Sequence, residues 1–138
     1  MLALDKAVFG SAAYTAEQWR DELANRSACV LLAQTATSGN AEAFVSAAVA
    51  GDELEIRKMG VIAASRRRGL AGKLLAQVIA RIHGIYPTVR RCLIDVAADN
   101  GTAIEFYRYQ GFAEIARRRK YYANGADAIV MEKILSVV

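Results

Sequence analysis

At 138 residues and 15.0 kDa, with 54% apolar and 23% charged residues and a single Pro, the chain predicts one globular domain over residues 1–138. That composition excludes a collagen, a disulfide scaffold or a disordered tail. The net charge of +4 is unevenly spread, −5 over residues 1–56 and +9 over 57–138, so the second half calls for an anionic ligand. A compact phosphate suits it as well as nucleic acid does. The basic residues lack the recognition-helix, zinc or aromatic-interleaved patterns of nucleic-acid modules, and no direct nucleic-acid contact is expected.

The first nine residues carry Asp5 beside Lys6 rather than a basic segment followed by a long apolar run, and no apolar stretch nears the roughly 18 residues that cross a bilayer. Neither a leader nor a membrane partner is expected. Leu2 to Phe9 and Thr15 to Asn25 read as helices, the second opened by Thr15 with Gln18 three residues on, the spacing of a capping box. Cys29 to Gln34, Ala43 to Ala50 and Glu53 to Val61, separated by Ser38-Gly39-Asn40 and Gly51-Asp52, form a three-strand meander. Leu70, Leu74, Leu75, Val78, Ile79 and Ile82 recur at helical spacing, with Gly84 as the stop.

Cys92 to Ala97 is the next strand, followed by a helix from Thr102 to Gln110 with Asn100 as its cap and Gly111 as its end. Phe112 to Arg119 and Ala128 to Leu135 close the chain as strands. The order is ααβββαβαββ, and the strand–helix–strand run over 53–97 predicts a parallel crossover in a mixed sheet with helices on its faces. Such sheets bind ligands where strands diverge. Cys29 and Cys92 read as small buried hydrophobes in a reducing compartment, which places the protein in the cytosol. His83, at a helix end with no second ligand nearby, reads as a surface residue, and no metal is expected.

The segment Ser65-Arg66-Arg67-Arg68-Gly69-Leu70-Ala71 follows a strand and opens an amphipathic helix. Unpaired N–H groups and the positive dipole end favour phosphate there, and Gly69 permits close approach. Three arginines at that end of a helix dipole crowd like charge unless an anion compensates. The alternative is a solvated basic turn.

These residues resemble the GCN5-related N-acetyltransferase superfamily over nearly the whole chain. Arg66, Gly69 and Ala71 match its Gln/Arg-x-x-Gly-x-Gly/Ala signature for acetyl-CoA. Asn100, Ala103, Tyr107, Gly111 and Phe112 match a second signature, Asn-x-x-Ala-x-x-x-Tyr-x-x-x-Gly-Phe. The runs Leu93-Ile94-Asp95-Val96, Arg117-Arg118-Arg119-Lys120-Tyr121-Tyr122 and Asp127-Ala128-Ile129-Val130-Met131, with the early Phe9 and Tyr14-Thr15-Ala16-Glu17, are similar to the bacterial ribosomal-protein alanine N-acetyltransferase branch.

The resemblance implies a mostly antiparallel mixed sheet and acetyl-CoA as cosubstrate. Arg66, Arg67, Arg68, Gly69, Leu70 and Ala71 would then lie at its diphosphate, and the backbone of Met59, Gly60 and Val61 along its pantetheine arm. An N–H near Val61 is the implied oxyanion donor. Tyr107 is the implied acid for the departing thiolate: a phenol at its ordinary pKa near ~10 stays protonated at neutral pH, against ~8.5 for a thiol. Asp95 stands where the branch carries Glu as general base; one methylene shorter, it would act through a water. Tyr121 and Tyr122 would line the acceptor groove, and Asn100 would bond the cofactor arm.

Each of these residues also has a structural reading. Tyr107 can be a core aromatic, Asp95 a strand-end carboxylate bonded to backbone, Asn100 a helix cap, and the tyrosine pair a shield beside a hairpin. Arg117 to Lys120 can meet an anion or be one solvated strand edge. An α-amine of pKa ~7.8 is about 14% neutral at pH 7 and a Lys amine of pKa ~10.4 only about 0.04%, so a weak base favours an N-terminal acceptor. Neither Cys has an evident activator, which predicts direct transfer.

The chain departs from the family in two places. The first strand that the family usually carries is not found in these residues, which implies either a truncated start or a Cys29–Gln34 strand left at a sheet edge, open to a partner strand, a second copy of the chain or a covering terminus. Ile62-Ala63-Ala64 stand where the family has Pro after the strand. Three roles are compatible with these residues: a protein N-terminal acetyltransferase, a small-amine acetyltransferase, or a CoA- or partner-binding domain without turnover.

Overall fold

The computed structural model describes residues 2–9, 13–24, 28–34, 41–62 and 69–135. The elements follow the predicted order: α1 (Leu2–Phe9), α2 (Ala16–Ala24), β1 (Ala28–Gln34), β2 (Ala41–Ala50), β3 (Glu53–Val61), α3 (Leu70–Ile85), β4 (Arg91–Ala97), α4 (Gly101–Tyr109), β5 (Ala113–Arg118) and β6 (Ala128–Ile134). The strands form one sheet in the order β1-β2-β3-β4-β6-β5. Only β3 and β4 run parallel, joined through α3, and every other pair is antiparallel.

Local chemistry explains most boundaries. Thr15 N–H donates to Gln18 Oε1 at 2.7 Å and Gln18 N–H to Thr15 Oγ1 at 3.1 Å, so the capping box forms as expected. Gly111, at φ 96°, takes the left-handed conformation that turns the chain out of α4. The expected stop at Gly84 is corrected: α3 runs through it to Ile85, and Tyr86, whose N–H donates to Ile82 O, is the cap. Pro87 then prevents continuation, because a residue preceding Pro is pushed out of helical conformation. The expectation for His83 is corrected as well, since the residue is only half-exposed and its Nε2 is buried without a hydrogen-bond partner. Ile82 beside it packs into the core and draws that turn inward. Cys92 is fully buried, whereas Cys29 is only partly so.

The pleat of β2 divides the protein into two packed layers. Ala43, Val45 and Ala47 face a core shared with Leu74, Leu75, Val78 and Ile82 of α3 and with Ile104 and Tyr107 of α4. Phe44 points the other way, onto Leu4 of α1 and Trp19 of α2. The sheet therefore has helices on both faces.

One irregularity in β3 positions everything that follows. Ala47 pairs with Ile56 but Ser46 pairs with Lys58, leaving Arg57 as an extra residue. Such a bulge inverts the alternation of the strand. Leu54 and Ile56 before it, and Met59 and Val61 after it, share the α3/α4 core, while Lys58 and Gly60 turn toward α1. The parallel pairing of β3 with β4 covers only Glu53–Ile56 against Arg91–Ile94 and ends where the bulge begins. At the opposite end Arg91 clamps the sheet, bonding Glu132 at 2.8 Å and also Glu53. The two strands are held together at one end and splayed at the other.

Buried charge secures the splayed side. Arg57 Nε lies 2.9 and 3.0 Å from the two oxygens of buried Glu22, which also accepts from Ser46 Oγ at 3.0 Å. Asp5, fully buried, accepts from Tyr14 N–H at 2.7 Å and Trp19 Nε1 at 2.8 Å and pairs with Lys58 Nζ at 2.9 Å. Lys58 Nζ also sits over the rings of Phe9 and Tyr14, at 4.6 and 4.1 Å. Breaking a buried pair of this kind by removing one partner typically costs about 3–5 kcal/mol.

A Cβ added at Gly60 would lie 2.7 Å from Val8 Cγ1 and 2.9 Å from the Phe9 ring, so this glycine lets α1 reach the sheet. Gly60→Ala is expected to destabilise the protein by about 1–3 kcal/mol through that overpacking. A lowered urea midpoint with unchanged slope would register it; unaltered stability would mean that α1 does not rest on this glycine.

Candidate active site

The gap between the splayed ends of β3 and β4 continues as a cleft with two halves. One, of about 730 Å³, is bounded by Val61 and Met59 of β3, by Gly69, Leu70, Ala71 and Gly72 at the start of α3, and by Phe106 of α4. The other, of about 600 Å³, is bounded by Glu55, Arg57 and Lys58 of β3, Asp95 of β4, Tyr14, and the pair Tyr121 and Tyr122. Phe9, Met59, Asn100, Ala103 and Tyr107 line both. Tyr107 thus stands at the seam where the two halves adjoin.

In the first half, Gly69 caps α3 at φ 74°, a conformation favourable only to glycine, and supplies no side-chain cap. The first intrahelical bond runs from Lys73 N–H to Gly69 O, so the N–H groups of Leu70, Ala71 and Gly72 have no partner within the helix and stand at the cleft wall. Ile62 N–H donates to Glu42 O at 2.8 Å. In the antiparallel ladder this alternation directs Gly60 toward β2 and the amides of Met59 and Val61 toward the side from which β4 has diverged. All three predicted backbone positions, Met59, Gly60 and Val61, line this half of the cleft, and Gly60 also lies under Val8 and Phe9 of α1. Arg66, Arg67 and Arg68 lie outside the described residues.

At the seam, Tyr107 is 6% exposed and packs edge-on against Phe106 and Phe112, at centroid distances of 5.0 and 5.4 Å. The expectation of an ordinary phenol is corrected. Burial, and secondarily the neighbouring Cys92, push its pKa well above the usual tyrosine value. The core and cleft readings of Tyr107 hold together, because its ring is core and one side of it lines the passage. Asn100 Oδ1 accepts from Ala103 N–H at 3.2 Å, so that oxygen is engaged as the cap of α4.

The second half is aromatic and charged. Tyr121 and Tyr122 stack edge-on at 5.2 Å. The Tyr122 pKa is raised by burial first and then by Asp95, Tyr121 and Asp99, which places negative potential at that wall. Phe9, Tyr14, Glu55, Arg57 and Lys58 border the passage without having been assigned to it from sequence. A usable signal did exist for one pair: Asp5 in the mostly apolar α1, and Lys58 within β3, are charges that need burial partners.

Among the described residues no group of three or more His, Cys, Asp or Glu side chains could hold a metal ion, and no helix is long and apolar enough to cross a membrane.

A mixed sheet splayed at a bulge, with a glycine-capped helix opening onto the gap, is the architecture of an acetyltransferase (GNAT) domain, and the chain belongs to that family, whose model matches residues 3–135. It is 33% identical over 84 residues to the N-alpha-acetyltransferase RimI of Mycobacterium tuberculosis, covering 59% of this chain and 49% of that one. The chain spans less than half the length of the curated relatives it matches. The solved ribosomal-protein-S18-alanine N-acetyltransferase of Escherichia coli shares its fold with a TM-score of 0.86 at 24% identity, over 99% of this chain and 86% of that one. A GNAT family acetyltransferase from Elizabethkingia anophelis, solved with acetyl-CoA bound, gives 0.76 at 17% identity, over 96% and 89%.

Both thiols are held protonated by burial, Cys92 being pushed up to about 12 and Cys29 raised despite the nearby Arg81. Neither is expected to react measurably with iodoacetamide in the native protein at pH 7.5, while both should in urea. Rapid native labelling, followed by mass spectrometry, would reveal an activated cysteine that this packing does not provide.

Proposed function

We propose that this protein transfers the acetyl group of acetyl-CoA directly to a primary amine, the N-terminal α-amine of a polypeptide, within a ternary complex. The observation that carries the reading is the pair of adjoining half-clefts, one lined by the start of α3 and the other by Tyr121 and Tyr122, which share Tyr107 in their walls. A thioester can approach from the α3 side and an amine from the Tyr121/Tyr122 side. Family membership supports the transfer chemistry, and the relatives named for N-terminal acetylation support the acceptor class.

The residues fit acetyl-CoA. The unpaired amides at the start of α3 suit a diphosphate, with Arg66, Arg67 and Arg68 adding charge from the preceding segment. The β3 backbone at Met59, Gly60 and Val61, which lines this half of the cleft, matches the amide-bearing pantetheine chain, with an N–H near Val61 as the proposed donor to the carbonyl oxygen as it gains charge. Bound acetyl-CoA supplies the activated acyl group.

The chain's own groups handle the protons. Asp95, on the acceptor wall, receives the ammonium proton of the incoming amine through a water. Tyr107 holds its phenolic proton throughout the working pH range. Its raised pKa makes complete transfer to a thiolate of conjugate-acid pKa near ~8.5 uphill, so it serves as a hydrogen-bond donor that stabilises the departing sulfur, while the proton the attacking nitrogen sheds as the C–S bond breaks passes through water to the thiolate. With both thiols protonated and buried or half-buried, no covalent enzyme intermediate is formed.

Tyr107→Phe is expected to lower kcat by about 10²-fold with little change in KM for acetyl-CoA. Arg66→Glu should weaken CoA binding by roughly tenfold or more at similar kcat. The opposite division would exchange their roles. The pH profile gives an independent check. A phenol whose pKa is raised keeps its proton as pH climbs, so kcat/KM should rise through the acceptor's pKa near ~7.8 and then level, with no falling limb below about pH 10. A decline between pH 8.5 and about 9.5 would contradict the assignment. Titration calorimetry with CoA decides the premise, because a folded protein indifferent to millimolar CoA would end the proposal.

A further inference from the structure

The two sides of the acceptor entrance carry opposite charge. Inside, Glu55 and Asp95 line the wall, and the cations beside them are engaged, Lys58 with Asp5 and Arg57 with Glu22. Outside, the chain from Arg117 to Asp127 carries four cations against one carboxylate. Every side chain of β5 is exposed, as are Arg119 and Lys120 beyond it.

This basic arm is built and aimed. Asp127 accepts from Lys120 N–H at 3.0 Å and from Arg117 Nη1 at 3.1 Å, holding Lys120 at φ 50°, a backbone conformation unusual for a non-glycine residue. The turn so formed sets the Arg118 guanidinium 5.5 Å from the centre of the Tyr121 ring, and Tyr121 lines the acceptor half of the cleft. The one carboxylate of the turn is consumed in shaping it, which leaves Arg118 exposed beside Tyr121 and Arg119 and Lys120 exposed next to it in the chain.

We propose that the exposed β5–β6 turn is the docking surface for an acidic stretch of the acceptor polypeptide, lying downstream of the N-terminal amine held in the cleft. The inference rests on the acceptor class given above. A ligand positive at its head and negative in its following residues matches both walls, whereas a basic segment would be repelled by the arm and a small amine could not span from one wall to the other. Charge complementarity at such a rim acts on encounter and KM more than on kcat, and is screened by salt.

The test uses peptides of about twelve residues with a common Ala-initiated head and Glu, Gln or Lys from roughly the fourth position onward. Acetylation is followed by thiol release, and binding separately by fluorescence anisotropy. The Glu peptide should exceed the Gln peptide roughly five- to tenfold in kcat/KM at low salt, through KM, with the gap closing near 0.5 M salt, and the Lys peptide should be poorest. Arg118→Gln/Arg119→Gln should remove the preference while leaving acetylation of the Gln peptide unchanged.

Equal rates for all three peptides, or preference for Lys, would overturn the inference while leaving the acetyltransferase reading intact. Selective binding of the Glu peptide without acetylation would uphold the surface and remove the reading. Tight binding of a structured RNA that depends on Arg118 and Arg119, with no discrimination among peptides, would reassign the arm to nucleic acid.

Discussion

A single extra residue in a strand determines where this protein can hold a ligand. At Arg57 the β2–β3 ladder takes in one residue too many, and beyond it β3 no longer runs beside β4. Two consequences follow from that departure. The parallel ladder stops at Ile56 and Ile94, and a gap opens in the middle of an otherwise continuous sheet. A regular β3 would have sealed the passage with its own hydrogen bonds.

The charged groups around the gap hold it open and roof it. Arg57 projects from the bulge to buried Glu22 of α2, which also takes the Ser46 hydroxyl from the opposing strand. Lys58, turned over by the bulge, meets Asp5 of α1 and lies against Phe9 and Tyr14, residues that border the cleft. Buried ion pairs seldom add net stability, because desolvation offsets their attraction, but they tolerate few alternative arrangements. Here they specify how α1 and α2 sit over the post-bulge strand. Arg91, bridging three strands at the far end, keeps the sheet intact while its middle opens.

The placement of Tyr107 shows how packing sets chemistry. The same burial that makes its ring part of the α3/α4 core raises its pKa and converts an ordinary phenol into one that retains its proton. In the proposed reaction this favours hydrogen-bond donation over full proton release. On the acceptor wall the Tyr122 pKa is raised too, by burial first and then by Asp95, Tyr121 and Asp99, while the basic turn beyond faces solvent. In the proposed reading, a cleft with a neutral donor at its seam and charge graded toward one mouth would discriminate ligands by polarity along their length.

The order of the elements, the capping box at Thr15, the cap at Asn100, the turn at Gly111 and the two motifs around Gly69 and Tyr107 were all legible in the sequence, because each depends on residues a few positions apart. Helix periodicity from Leu70 to Ile82 likewise reported a buried face directly. Gly84 misled because a helix tolerates an interior glycine when its apolar face is packed, and the real stop came from Pro87. The bulge at Arg57, the partners of Asp5 and Lys58, the close approach of α1 to Gly60, and the raised pKa of Tyr107 belong to the tertiary structure alone. Each depends on which distant segment lies opposite, and strand register and burial are properties of pairs of segments that no single segment encodes.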